Sequence, residues 1–292
     1  MSIIEAALNK TRGAERPRTS DSSMTSRATE TAASGSGAAE PAFVRPPLQI
    51  DPRGHALGDV RLVLGAQQYL NEFRSLKRSL LQRMLSTPAV AERAMPNLVL
   101  VTSALPGDGK TSVSTNLALA ASLDRDYEVL LIDTDVAKRH LSELFGADKE
   151  TGLTDVLRDR NADVRNFIFP TSIPRLSFLA AGSSLKGAPE LFASTRTGAV
   201  LAELTRWRPR VLVIMDSAPL LLTSEPAILS SWAGQVLLVV RASTTLKDSV
   251  SEAIAQLEHR EHATLVLNDW RPIGLAERDR HGRYQGYYND TE

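Results

Sequence analysis

The sequence predicts a doubly wound α/β domain built on a mostly parallel sheet, flanked by segments that do not belong to the folded core. Three observations predict it. Apolar runs of strand length alternate with longer amphipathic patterns from residue 97 to residue 273. Within those runs the apolar residues are consecutive rather than alternate, as in strands covered on both faces. And the first run ends abruptly in a small, glycine-bearing turn that opens directly into a helical pattern.

Taken in order, residues 1–10 predict a short N-terminal helix, with Ile3, Ile4, Ala7 and Leu8 on one side; a frayed terminus accounts for them equally well. Residues 11–57 read as a disordered linker, because their first forty or so positions are rich in Ser, Thr, Ala, Gly, Arg and Pro, with too little apolar surface to offset the entropy of ordering. The folded domain is placed at 58–275. It begins with a helical pattern over 59–85, in which Val63, Leu70, Phe73, Leu76, Leu80 and Met84 share a face while Arg74, Lys77, Arg78 and Arg83 make the helix basic. Pro88 and Pro96 close that segment. Strands are expected at 98–102, 129–132, 176–179, 211–215, 236–240 and 264–267, and helices at 110–123, 190–207 and 245–259. Residues 276–292 form a polar, glycine-bearing tail.

Composition narrows the function. In 292 residues, 34 Lys and Arg balance 34 Asp and Glu, and aromatics are 5%, so nothing argues globally for a nucleic-acid partner. The absence of cysteine removes disulfides, iron–sulfur clusters and thiolate zinc sites, and fits a reducing compartment. The first ten residues are too short and too acidic for a signal peptide. The longest apolar runs, 211–215 and 236–240, fall far below a membrane span. A cytoplasmic protein is expected.

The turn after the first strand carries the chemistry. Pro106, Gly107, Asp108, Gly109, Lys110, Thr111 and Ser112 have the build of a phosphate-binding loop of the P-loop NTPase type. Backbone N–H groups at a helix mouth wrap a polyphosphate, Lys110 reaches the β- and γ-phosphates, and the Thr111 hydroxyl is placed for Mg2+. ATP and Mg2+ are the expected ligands. The consensus glycine six residues before the lysine is here Ala104, which is small enough for the bend at negative φ. Two more strands run into acids: 129–132 into Asp133 and Asp135, and 211–215 into Asp216. In an open parallel sheet ligands sit beyond the carboxyl ends of the strands. Three carboxylates there suit a Mg2+ held largely through its waters, with one of them free to take a proton. Each aspartate alone is as well read as a helix cap; all three together favour the metal site.

This ordered triple resembles that of the bacterial tyrosine kinases of polysaccharide export, which share the P-loop fold of the Min and Par partitioning ATPases. The matching motifs are 106–111, 132–135 and 215–219, and the similarity extends over about 59–273. The short Ile- and Glu-containing start and the low-complexity linker resemble the branch that lacks a fused membrane domain and accompanies exosortase-linked exopolysaccharide loci. The resemblance implies a tyrosine autokinase that regulates exopolysaccharide polymerisation and export. Lys110 and Thr111 would bind phosphate and Mg2+, and Asp133, Asp135 and Asp216 would be the Walker A′ and Walker B acids, with Asp133 favoured as the base. Asn268 would read adenine, although an Asn after a strand is also a common turn residue. The resemblance further implies a homo-oligomer, an inner-membrane chain-length regulator as activator, and a location at the inner membrane through that partner. Two departures stand out. Ala137 replaces a frequent arginine, and the oligomerisation helix carries Asn71, Arg74 and Lys77, with Glu72 one step off the expected register.

Tyr284, Tyr287 and Tyr288 cluster in the tail, spaced by Gly282 and Gly286, and are the expected autophosphorylation sites. His259 and His262 sit in a charged stretch and are expected in solvent. Trp207 and Trp232 are expected to pack, and Ser217 lacks the glycine-flanked turn of a hydrolase nucleophile. The alternatives to a kinase are a Min/Par-like ATPase switch, which uses the same loop and acids, and a catalytically weak nucleotide-sensing assembly subunit.

Overall fold

A computed structural model describes residues 45–51, 56–58, 60–65, 67–86, 94–183 and 187–269. The helix expected at 1–10, the linker up to residue 44, and the tail with Tyr284, Tyr287 and Tyr288 lie outside the described residues. In chain order the strands are β1 (Ala56–Leu57), β2 (Val60–Arg61), β3 (Met95–Ser103), β4 (Glu128–Asp133), β5 (Ile168–Pro170), β6 (Leu176–Leu179), β7 (Val211–Asp216), β8 (Ala233–Arg241) and β9 (Ala263–Asn268). The helices are α1 (Gln67–Ser86), α2 (Lys110–Ser122), α3 (His140–Leu144), α4 (Leu153–Arg158), α5 (Ala188–Phe192), α6 (Thr195–Leu204), α7 (Glu225–Ser230) and α8 (Lys247–Ala255).

Seven strands form one sheet in the order β5-β6-β4-β7-β3-β8-β9. Every pairing is parallel except that of β5 with β6. The sheet is thus the doubly wound one expected, with one antiparallel edge strand that the sequence did not announce: three residues are too few for a readable apolar period. Alternation along each strand sends neighbours to opposite faces. Leu98, Leu100, Val213, Met215 and Leu238 join Phe192, Leu201 and Leu229 on one side. Val99, Val101, Ile214 and Val239 join Val113, Leu117 and Leu80 on the other. Phe178 of β6, fully buried, stacks on Phe145 with ring centroids 4.5 Å apart.

Helix α2 is buried nearly all round, polar residues included, because α1 packs over its outer side. Asn116 of α2 explains why the expected 59–85 helix starts only at Gln67. Its amide oxygen accepts from Val63 N–H at 2.8 Å and its amide nitrogen donates to Arg61 O at 2.8 Å, which holds that stretch as β2 and a 3-10 turn. The single helix expected over 190–207 is two, α5 and α6, broken at Ser194, whose extended backbone (φ −71, ψ 154) precedes α6.

The linker reading fails at its C-terminal end. Residues 45–51 are strapped to the β5 edge: Leu48 N–H donates to Pro170 O at 2.9 Å, Ser172 N–H to Leu48 O at 2.9 Å, and Ile50 N–H to the Ser172 hydroxyl at 2.9 Å. Arg45 lies over the Phe169 ring at 4.2 Å and donates to Asn166 O. Leu48 and Ile50 supply apolar anchors that the composition of the whole segment hid. His262 is also a correction, being buried rather than solvated, with its ring 5.4 Å from that of His259. Trp207 and Trp232 pack against the core, as expected.

Phe178→Ala would remove a stacked, fully buried ring and is expected to destabilise the domain by ~3–5 kcal/mol. Urea unfolding measures this; a loss below about 1 kcal/mol would mean that the β6 side of the core closes over the gap.

Candidate active site

The parallel register brings the site together. Strand β3 lies between β7 and β8, and β4 pairs β7 with Asp133 directly opposite Asp216. The chain leaves β3 at Ser103, bends through Ala104 and enters α2 at Lys110, so the loop lies at the carboxyl end of the sheet beside both acids. Ala104 is fully buried and is not among the positive-φ residues, so the missing consensus glycine is no obstacle. Gly107 (φ 86) and Gly109 (φ 94) do need the left-handed region. A Cβ on Gly109 would also collide with the Asn268 amide. The segment after Asp216 is braided onto β3. Thr102 Oγ1 donates to Ala218 O at 2.8 Å, Leu220 N–H to Ser103 O at 2.8 Å, and the Ser217 hydroxyl to Val101 O at 3.0 Å. Ser217 is thereby a buried structural hydroxyl.

Four of the expected residues converge. The Thr111 hydroxyl donates to Asp216 Oδ2 at 2.8 Å, and Lys110 Nζ lies 3.8 Å from Asp135 Oδ2. Asp133 stands next to them but is differently engaged. Its Oδ2 accepts from Ser142 N–H at 2.8 Å and the Ser142 hydroxyl at 2.7 Å, and its Oδ1 from Asp135 N–H at 3.1 Å. The Ser142 hydroxyl also accepts Ala181 N–H at 3.0 Å, tying β4, α3 and the end of β6 into one knot. Asn268 ends β9 against the loop and donates its amide nitrogen to Asp108 O at 2.9 Å. Ser142 and the Thr245 contact with Asp108 (2.6 Å) were not foreseen from the sequence; neither residue type at its position carries a motif.

Charge at this edge is costly in the bare protein. Burial, and then the Asp216 charge, push the Asp133 carboxyl up to about 7 despite the bonds from Ser142. Burial pushes Asp216 up to about 6, against the opposing pull of Lys110 and Thr111. Asp216 Oδ1 is buried without a hydrogen-bond partner. An orphaned carboxylate oxygen beside a hydroxyl and a second acid fits a hard cation with oxygen ligands. Among the described residues no three His, Cys, Asp or Glu side chains are grouped to hold a metal by themselves. Thr111 and Asp216 are accordingly the direct candidates, with Asp135 positioned to act through water.

A carboxyl raised on folding contributes stability that is complete below its unfolded value near 3.8 and is lost as pH rises through its folded value. Asp216→Asn does not titrate and keeps an oxygen for Thr111. Its melting temperature is expected to exceed that of the wild type by a margin that grows from pH 4 to pH 6 and levels off above pH 7. Thermal melts across that range decide it; a constant offset would show that Asp216 is ionised in the folded protein throughout.

No protein-family model matches the chain. Curated relatives do. EpsB of Ralstonia solanacearum, which bears a tyrosine-protein kinase name, is 36% identical over 205 residues, covering 67% of this chain and 27% of the relative. The tyrosine-protein kinase Wzc of Salmonella typhimurium is 33% identical over 182 residues, covering 61% and 24%. This chain spans 24–32% of the length of such relatives. Among solved structures, the kinase domain of Escherichia coli tyrosine kinase ETK matches with a TM-score of 0.59 at 26% identity, over 70% of this chain and 78% of that domain. By sequence and by fold, this chain is similar to the kinase domain of bacterial tyrosine-protein kinases.

Proposed function

We propose that this domain transfers the γ-phosphoryl group of ATP to tyrosine, chiefly on its own C-terminal tail, and that it does so in the control of exopolysaccharide polymerisation and export. The observation that carries the reading is the meeting of Lys110, Thr111, Asp135 and Asp216 at one end of the sheet, beside a loop with two glycines in the left-handed region. That arrangement binds polyphosphate and does little covalent chemistry, as phosphoryl transfer requires. The tyrosine-kinase names of the relatives favour transfer to protein over an ATPase switch.

Each residue has a part. The loop N–H groups and Lys110 hold the β- and γ-phosphates and stabilise charge on the oxygens of the moving group. Thr111 and Asp216 hold Mg2+, which when bound neutralises phosphate charge. Asp135, buried beside Lys110, takes the phenolic proton. Asp133, fully buried and bonded to Ser142, is assigned the part of orienting Asp135 through the Asp135 N–H bond. A phenol has a pKa near 10, so proton removal depends on proximity and on the cation close by. Asn268 contributes from the loop side, one of its amide hydrogens being engaged with Asp108 O.

Tyr284, Tyr287 and Tyr288 are proposed as acceptors, and each phosphate would add roughly −1.5 to −2 charges to the tail. The proposed activator is an inner-membrane chain-length regulator, with the kinase cytoplasmic and peripheral to that membrane and acting as a homo-oligomer. No helix among the described residues is long and apolar enough to cross a bilayer.

Incubation with Mg·ATP followed by mass spectrometry of the intact chain is expected to show phosphate on 284, 287 and 288. Lys110→Met is expected to lower the signal by about a hundredfold or more, as loss of a charge-stabilising group does, and truncation after Asp279 to remove it. Phosphotyrosine unchanged in Lys110→Met would refute self-phosphorylation.

A further inference from the structure

Asp108 is out of character in its loop. A loop that surrounds anions with N–H groups here contains a carboxylate, two residues before the lysine that meets phosphate. The structure shows what becomes of it. Asp108 is 3% exposed. Its Oδ2 accepts Leu105 N–H at 3.1 Å, and its Oδ1 accepts the Thr245 hydroxyl at 2.6 Å, a short bond of the kind made to an ionised acceptor.

Thr245 does not arrive there by chance of rotamer. Its hydroxyl oxygen accepts Arg241 N–H at 3.2 Å, which directs the hydroxyl hydrogen toward Asp108. Its own N–H donates to Arg241 O at 3.0 Å, so the turn between β8 and α8 is closed on itself. That turn is tied to β9 by Ala242 N–H on Asn268 O at 2.8 Å and by the Arg241–Asp269 ion pair at 3.1 Å. Asn268 then donates to Asp108 O at 2.9 Å. The backbone and the side chain of Asp108 are thus held from the same two strand ends, β8 and β9, by groups that carry no negative charge.

We propose that Thr245 is a positioning residue for polyphosphate binding, whose hydroxyl keeps the Asp108 carboxylate out of the phosphate cradle. The proposal rests on the nucleotide-binding reading of the loop. Without the hydroxyl, the carboxylate loses its shortest bond and retains one backbone N–H, which leaves it free to turn toward the loop mouth. There its charge opposes each phosphate, whereas a neutral side chain would not. The effect therefore scales with ligand charge and disappears when Asp108 is neutral. A merely structural role for Thr245 has neither property.

The test is a double-mutant cycle of Thr245→Val and Asp108→Asn in the full chain, with Thr245→Ser as the conservative variant. Affinity is read by titration with a fluorescent ATP analogue, and by its displacement with ATP, pyrophosphate and adenosine. Thr245→Val is expected to weaken ATP and pyrophosphate about tenfold, the scale of one hydrogen bond to a charged group, while adenosine changes less than about twofold. In the Asp108→Asn background the same step should change ATP affinity by less than about twofold, and Thr245→Ser should restore the wild-type value. An equal loss in both backgrounds, an equal loss for adenosine, or no loss at all overturns the proposal. A wild-type chain that binds no ATP overturns the nucleotide reading itself, and this inference with it.

Discussion

Two acids side by side at the ends of adjacent parallel strands are the constraint around which this domain is arranged. The β4–β7 register sets Asp133 opposite Asp216, and both are buried. Such a pair resists full ionisation, because each charge is desolvated and faces the other. The surrounding structure can be read as what makes the pair tolerable. Ser142 offers two donors to one acid, Thr111 offers one to the other, and Lys110 places a positive charge between Asp135 and Asp216. What remains unanswered is a single buried oxygen of Asp216. A site that leaves that oxygen open in the bare protein has a thermodynamic reason to take up a cation.

The fold supports this edge from both faces. Phosphate-loop helices need an N-terminus aimed at ligand, and a short helix would hold its direction poorly if only one side were packed. Here α2 is packed against the sheet below and α1 above, with Asn116 joining it to the segment that precedes α1. The side chains that bind α2 into place are polar as well as apolar, which lowers the amphipathic contrast of the helix. Direction of the helix mouth, and so of the loop N–H groups, is fixed by packing rather than by any capping side chain.

Much of this was legible in the residues. All six expected strands exist, because continuous Val, Leu and Ile runs have few other uses in a chain of this kind. The loop, Asp133, Asp135 and Asp216 were legible because each follows such a run directly. What escaped reading did so for identifiable reasons. The break between α5 and α6 turns on the backbone of one serine, which composition does not encode. The strap at 45–51 depends on Leu48 and Ile50, two apolar residues at the end of a long polar stretch whose average outweighed them. His262 reads as solvated because its neighbours in sequence are charged, yet the fold buries its ring, a property that local charge does not report. Ser142 and Thr245 were invisible because a hydroxyl acquires its meaning only from the partner that tertiary structure brings to it.

That last class bears on how the site differs from its motif. A motif fixes residue types that touch ligand; it is silent on the groups that keep those residues in usable orientations. Asp133 shows the distinction. It sits in the motif, yet in the folded chain its carboxylate accepts the Ser142 N–H, the Ser142 hydroxyl and the Asp135 N–H. Asp135, two residues on, is the acid that meets Lys110. Both side chains lie at the same end of the sheet, but Asp133 is bonded by Ser142 at the start of α3, whereas Asp135 accepts the Lys138 N–H at 3.1 Å in the turn before it. A pair that looks symmetrical in sequence thus has different partners in the fold: Ser142 of α3 for Asp133, and Lys110 with the Lys138 N–H for Asp135.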